Sequence, residues 1–197
     1  MLNFPAFLSY VLVSNISPGA NAILSMSNAS KYPLKKSLRF NLGISIGVFI
    51  VLMLCSALSL TLLNLFPAIR PYLTWFGAAY ILWLAFGLVG NSPAKGEGEK
   101  KRKSGLFLSG LLLQFVNPNT IFYGITAFTN FIIPQYSAPV ILVVFCALLS
   151  FIAFICTACW TFFGSIFSKI IAKHGRLINA ILAALLVYCA VSLVLSQ

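Results

Sequence analysis

Ser17-Pro18 and Asn117-Pro118 place a helix-capping residue before a proline at two points one hundred residues apart, each inside a long apolar stretch. Ser or Asn ahead of Pro is a helix-start signal. The capping side chain accepts from an early N–H, and proline gives up a donor that the first turn leaves unpaired anyway. Within a continuing helix the same proline removes its own N–H and clashes with the carbonyl four residues earlier. Those carbonyls belong to Ser14 and Gln114. Half-helices starting at Pro18 and Pro118 would present N–H groups and partial positive charge, while the interrupted halves before them release carbonyl oxygens. Such groups together suit a zwitterion: an α-carboxylate on the N–H groups, an α-ammonium on carbonyls or aromatic faces.

The polar residues nearby are Asn15, Ser17 and Asn21 in the first stretch, and Gln114, Asn117, Asn119, Thr120 and Tyr123 in the other. From these the candidate solute-binding set is Ser14, Ser17, Pro18, Gly19, Asn21, Gln114, Asn117, Pro118, Asn119 and Tyr123. Gly19 would permit close approach of the backbone to the solute. A lone proline of this kind more often only kinks a packed helix. The matched pair, capped alike and set in Asn-rich turns, favours a binding role.

Other chemistries are excluded by what the chain lacks. It has no Asp, its two Glu (Glu97 and Glu99) lie in a polar segment, and its one His, His174, sits among basic residues. Nucleophilic catalysis needs a base and an orienting acid beside the nucleophile, so an enzyme is not expected. No metal ligand set or cofactor motif is present, and a proton relay through a membrane carboxylate is unavailable. A cationic solute would find no counter-charge, which leaves a small, neutral, polar amino acid. Cys156 and Cys159 form a C-x-x-C, the basis of an alternative reading as a membrane thiol-redox carrier. They lie deep in an apolar run without a nearby base, where a thiol behaves as a small hydrophobe.

The elements that must position these residues follow from hydropathy. Sixty per cent of the chain is hydrophobic and its mean hydropathy is +1.01. A membrane-crossing helix needs roughly 20 apolar residues. Six stretches qualify, at about 4–26, 40–65, 72–89, 105–133, 138–167 and 177–195. Of the thirteen basic residues, twelve fall between spans one and two, three and four, or five and six, and only Arg70 falls on the other side. The excess of positive charge marks the cytoplasmic side, so both termini are expected outside and nucleic acid is not an expected partner. The first span has no basic leader or small-residue cleavage pattern and reads as retained.

The expected fold is therefore an all-α membrane protein of six transmembrane helices in the lipid bilayer, arranged as two inverted three-helix repeats with helices 1 and 4 broken. Residues 1–90 form the first repeat, 91–104 a cytoplasmic linker and 105–197 the second. An odd number of spans per half forces the second half to cross in the opposite sense. The segment 78–85 in span three parallels 183–190 in span six. Gly43 and Gly47 form a small-xxx-small face that suits close helix packing.

Ser17-Pro18-Gly19-Ala20-Asn21, Gly77-Ala78-Ala79-Tyr80 and Asn117-Pro118-Asn119 resemble the signatures of the lysine/homoserine exporter family, over essentially the whole chain. That resemblance implies a small six-span amino-acid exporter of the bacterial inner membrane. The stretches 113–117 and 186–191 are most similar to the branch that moves cysteine and O-acetylserine, and so imply efflux of those solutes by alternating access. A homo-oligomer is compatible with this. The chain departs from the family pattern in three ways. Ala20 stands where a second proline is usual, Asn119 where Lys is usual, and span five lacks the acidic residue of many members.

Overall fold

The computed structural model describes residues 4–58, 105–167 and 175–195, together with residues 72, 75, 76, 78–83, 85 and 86. Everything described is helix or short connection. Helix α1 spans Phe4–Ile16 and α2 spans Ala20–Lys31. They join with a bend of 44° and together are long and apolar enough to cross a membrane. After a turn at Tyr32-Pro33 comes α3, Leu34–Ala57. Helix α4 runs Leu106–Val116, α5 Pro118–Thr126, and α5 continues into a π-helical turn at Ala127–Ile132. Helix α6, Pro139–Ile166, starts with proline at its first position, and α7 covers Gly175–Leu195. Helices α3 and α6 are each long and apolar enough to span a bilayer alone. Helices α2 and α3 extend past the apolar limits read from sequence at their basic ends: α2 reaches Lys31, and α3 already includes Lys35, Lys36 and Arg39. Helix propensity carries the backbone on where hydropathy stops.

The helices pack through backbone contact rather than through bulky side chains. A Cβ on Gly43 would collide with the carbonyl oxygen of Phe107, and one on Gly47 would come within 2.7 Å of the Leu111 oxygen. Gly110 reciprocates against the Phe40 carbonyl. The expected small-residue face is therefore the seam between α3 and α4, where the missing Cβ atoms let the two backbones come into van der Waals contact. Gly164 plays the same part between α6 and α2, where a Cβ would approach the Met26 oxygen to 2.5 Å.

Among the described residues two large apolar clusters fill the interior, beside a small one of Val51, Cys55 and Ile125. One joins Phe7 and Val11 of α1, Ile44, Val48 and Leu52 of α3, Tyr123 of α5, Phe128 of the π turn and Leu149 and Ala153 of α6. The other joins Ala20 and Ile23 of α2 with Ala78, Ile81 and Ala85 and with Leu182, Ala183, Leu186 and Ala190 of α7. The outer face of α6 stays apolar and exposed at Val140, Val144, Leu148, Phe151 and Phe162. A contiguous apolar surface of this kind is compatible with a membrane-embedded helix. The linker 91–104, His174 and Arg70 lie outside the described residues.

Candidate functional site

Both proline positions interrupt their helices, but in different ways. At the second, the sequence signal holds in detail. Asn117 is extended (φ −86°, ψ 103°) and caps α5, its Oδ1 accepting from the Asn119 N–H at 3.2 Å, with Pro118 at the first helical position. At the first, the helix does not begin at Pro18. Ser17 stays attached to α1, its N–H and Oγ both donating to the Val13 carbonyl at 3.1 and 2.6 Å. Pro18 forms the apex of a tight turn closed by the Gly19 N–H on the Ser17 carbonyl at 2.8 Å. Gly19, extended at φ −108°, then leads into α2 with no side-chain cap. Donating to Val13 turns the Ser17 hydroxyl back onto α1, and its oxygen accepts from no N–H of α2, so the expected Ser cap is not made.

The expectation that both half-helices offer N–H groups needs correcting for the same reason. In α5, Pro118 has no N–H, Asn119 gives its own to Asn117 Oδ1, and Thr120 gives its own to the Asn117 carbonyl at 3.1 Å. That helix start is self-satisfied. The first-turn N–H groups of α2, at Ala20, Asn21 and Ala22, have no partner within their helix and no cap. The first break thus sets the open, partially positive start of α2 beside the C-terminal, carbonyl-bearing end of α1.

The two breaks meet. One cavity of about 70 Å³ is lined by Ser14, Asn15, Ser17, Gly19, Ala20, Asn21 and Ala22 from the first, and by Asn117, Asn119, Thr120 and Tyr123 from the second. Val48 of α3 and Ala153 and Thr157 of α6 complete the wall. A Cβ on Gly19 would lie 3.9 Å from Asn119 Nδ2, so the two turns abut. At ~10–15 Å³ per water, the space takes a few waters or a solute of similar bulk.

Of the candidate residues, Ser14, Ser17, Gly19, Asn21, Asn117, Asn119 and Tyr123 line this cavity. Pro18, Gln114 and Pro118 do not, and Gln114 sits behind the wall, fully buried. There it ties the breaks together. Its amide pairs reciprocally with that of Asn21 (Asn21 Nδ2 to Gln114 Oε1, 3.1 Å; Gln114 Nε2 to Asn21 Oδ1, 3.0 Å). Thr120 Oγ1 donates to the same Oε1 at 2.8 Å, and Nε2 also donates to the Gly110 carbonyl at 3.1 Å. A residue read as a ligand is a brace.

Beyond the expected residues, the cavity adds Asn15, Ala20, Ala22 and Thr120 beside the breaks, and Val48, Ala153 and Thr157 from elsewhere. Asn15 and Thr120 are polar neighbours of the prolines. Val48, Ala153 and Thr157 carried no local sequence signal, since helix packing alone brings α3 and α6 against the breaks. Thr157 lies within the C-x-x-C, yet neither cysteine lines the cavity: Cys156 is buried and Cys159 faces outward, and both are free thiols. The redox reading gains no support from this arrangement.

Most polar side chains at the cavity are already engaged. Asn15 Nδ2 donates to the Val11 carbonyl at 2.8 Å, and Thr157 Oγ1 to the Ala153 carbonyl at 2.8 Å. Tyr123 is held by its ring. That ring is buried and stacked on Tyr10 with centroids 5.8 Å apart. One turn along α2 and α6, Ser25, Asn41 and Thr161 form a second, fully buried polar bridge. Ser25 Oγ donates to Asn41 Oδ1 at 3.0 Å, and Asn41 Nδ2 donates to Thr161 Oγ1 at 2.8 Å.

Comparison with known proteins bears on what such a cavity holds. Residues 12–197 match the family profile described as LysE type translocator. Three similar curated proteins are each named cysteine/O-acetylserine efflux protein. The one from Klebsiella pneumoniae is 41% identical over 189 residues, covering 96% of this chain and 95% of that protein. Those from Salmonella typhimurium and Escherichia coli K12 are 40% and 39% identical over 186 residues, covering 94% of each chain. No solved structure matches.

Proposed function

The chain belongs to the LysE type translocator family, and from that premise we propose that it exports small neutral polar amino acids, foremost cysteine and O-acetylserine. Members of this family are transporters rather than enzymes. The observation that carries the reading is the cavity shared by two interrupted helices. At the first break a helix C-terminus and an uncapped helix N-terminus stand side by side, a dipolar site for a dipolar solute. The α-carboxylate rests on the N–H groups of Ala20, Asn21 and Ala22, and the α-ammonium on carbonyls at the end of α1, where Pro18 cannot donate to Ser14. Asn117, Asn119 and Tyr123 close the second side. No carboxylate lines the cavity to balance a cationic side chain, and its size favours a short one.

In this reading the protein crosses the bacterial inner membrane six times with both termini periplasmic, which accounts for the twelve-to-one placement of basic residues. The halves, 1–90 and 105–197, are inverted repeats joined by the cytoplasmic linker 91–104, and they rock about the cavity in alternating access. The packing of Ala78, Ile81 and Ala85 with Ala183, Leu186 and Ala190 supports pairing of spans three and six across the repeat. Proton coupling, where it occurs, runs through water, backbone or the solute. The test is direct: radiolabelled cysteine, O-acetylserine and homoserine are followed out of cells with and without the protein. Faster loss of the first two supports the assignment; equal loss with and without the protein refutes it.

A further inference from the structure

A solute in the cavity is read by the polar side chains that its walls leave free, and most of them are not free. On the first break, the Ser17 hydroxyl and the Asn15 amide donate to the Val13 and Val11 carbonyls of their own helix, and the Ser14 hydroxyl hydrogen-bonds Tyr10. Asn21 is held in its exchange with Gln114. Across the cavity, Thr120 donates to Gln114 and Thr157 to its own helix. The Tyr123 hydroxyl is fully buried with the Asn15 side chain as its partner, and Val48 and Ala153 are apolar. Asn117 and Asn119 remain. Asn117 is 4% exposed, and its oxygen is committed to the Asn119 N–H, which leaves only its N–H2 end. Asn119 spends nothing but that backbone N–H. Its side-chain amide lines the cavity, lies on an exposed residue and has no hydrogen-bond partner among the described residues. It also faces the first break, with Nδ2 3.9 Å from where a Cβ on Gly19 would lie.

We infer that Asn119 is the specificity-determining residue of the cavity, its amide meeting the solute's side chain opposite the backbone groups that hold the charged ends. A primary amide donates through nitrogen and accepts through oxygen. The N–H2 end suits the carbonyl oxygen of a short ester, and the oxygen suits the proton of a thiol or hydroxyl. Turning about its terminal torsion, which is broad and roughly two-fold, lets one neutral group serve side chains of opposite hydrogen-bonding sense. The same neutrality gives a cationic side chain no counter-charge. The inference rests on the export reading above and adds to it the group that sorts the solutes.

Asn119→Asp is nearly isosteric, keeps the backbone N–H that Asn117 accepts, and puts a carboxylate in the first turn of α5, where the helix dipole favours it. It removes the donor end of the amide and adds a negative charge. Purified wild-type and variant proteins in liposomes are compared for uptake of O-acetylserine, cysteine and 2,4-diaminobutyrate, a short amino acid with a cationic side chain, normalised to inserted protein. In the variant, kcat/KM for O-acetylserine falls about fivefold to tenfold, the size expected for losing one neutral hydrogen bond. Cysteine falls less than about twofold, since a carboxylate still accepts from its S–H. Uptake of 2,4-diaminobutyrate rises about tenfold over wild type through a charge-assisted bond. Asn119→Ala, which removes both ends of the amide and adds no charge, lowers O-acetylserine uptake and brings no gain for the cation. Uptake of 2,4-diaminobutyrate at the wild-type level in Asn119→Asp, or an unchanged ratio of O-acetylserine to cysteine, overturns the inference while leaving export in place. A wild-type protein that moves neither O-acetylserine nor cysteine refutes the export reading itself and this inference with it.

Discussion

Replacing Gln114 with Leu should cost more than replacing its partner Asn21, and the two losses should not add. The asymmetry comes from what each substitution strands. Gln114 makes four hydrogen bonds, two with Asn21 and one each with Thr120 and the Gly110 carbonyl. In Asn21→Leu, Gln114 keeps Thr120 and Gly110, so neither end of its amide is orphaned. The two lost bonds cost about 1–2 kcal/mol together, given ~0.6–1 kcal/mol per neutral bond within a membrane. In Gln114→Leu the buried Thr120 hydroxyl loses its acceptor and both ends of the Asn21 amide lose theirs, though Asn21 borders the cavity and can be hydrated. Lost bonds and one stranded hydroxyl together give about 3 kcal/mol. The double variant removes both members of the pair and should resemble Gln114→Leu alone, a coupling of about 1–2 kcal/mol. Reversible unfolding by sodium dodecyl sulfate in mixed micelles reads all three, and transport should show a raised KM for Gln114→Leu because the start of α2 loses its brace. Equal effects of the two single changes, or a strictly additive double, would refute the brace.

Four further outcomes follow from the geometry. Gly47→Ala places a methyl 2.7 Å from the Leu111 carbonyl and 2.8 Å from Gln114 Cγ, so the same unfolding assay should register a loss of about 1–3 kcal/mol. Gly105→Ala, with nothing within 4 Å of the new methyl, should stay within about 0.5 kcal/mol of wild type. Asn117→Leu removes the cap on α5 and should cost about 1 kcal/mol while depressing export from cells in which the protein still inserts, as Asn21→Leu should; normal export by both variants would contradict the site. Cys156→Ser with Cys159→Ser should leave radiolabelled solute efflux largely intact, since neither thiol reaches the cavity, whereas abolition would revive the redox alternative.

Much of this organisation could be read from residue types because the membrane simplifies the physics. Apolar length announces helices, and a capped proline within one announces a break. Asn117-Pro118 was legible to the atom, since a short side chain before proline has one obvious acceptor task and performs it. Ser17-Pro18 was not: a serine can also bond back four residues, and at Ser17 the Val13 carbonyl wins over capping. The same local competition left α2 uncapped and made the two breaks unequal. Gln114 looked like a ligand because polar groups in apolar helices mark function, but its amide is used up in joining α2 to α4 and α5. The contributions of Val48, Ala153 and Thr157 were out of reach, because nothing local to an apolar helix says which turn of it will face a break elsewhere.

The meeting of the two breaks can be measured by cross-linking. In a variant lacking the five native cysteines, Gly19→Cys and Asn119→Cys are combined and treated in membranes with a short bifunctional thiol reagent, with and without O-acetylserine. With the first turn 3.9 Å from the Asn119 side chain and both residues lining the solute's cavity, the pair should cross-link readily and O-acetylserine should slow the reaction. Absence of a cross-link while each single thiol reacts with a monofunctional reagent, or a rate indifferent to the solute, would contradict the account.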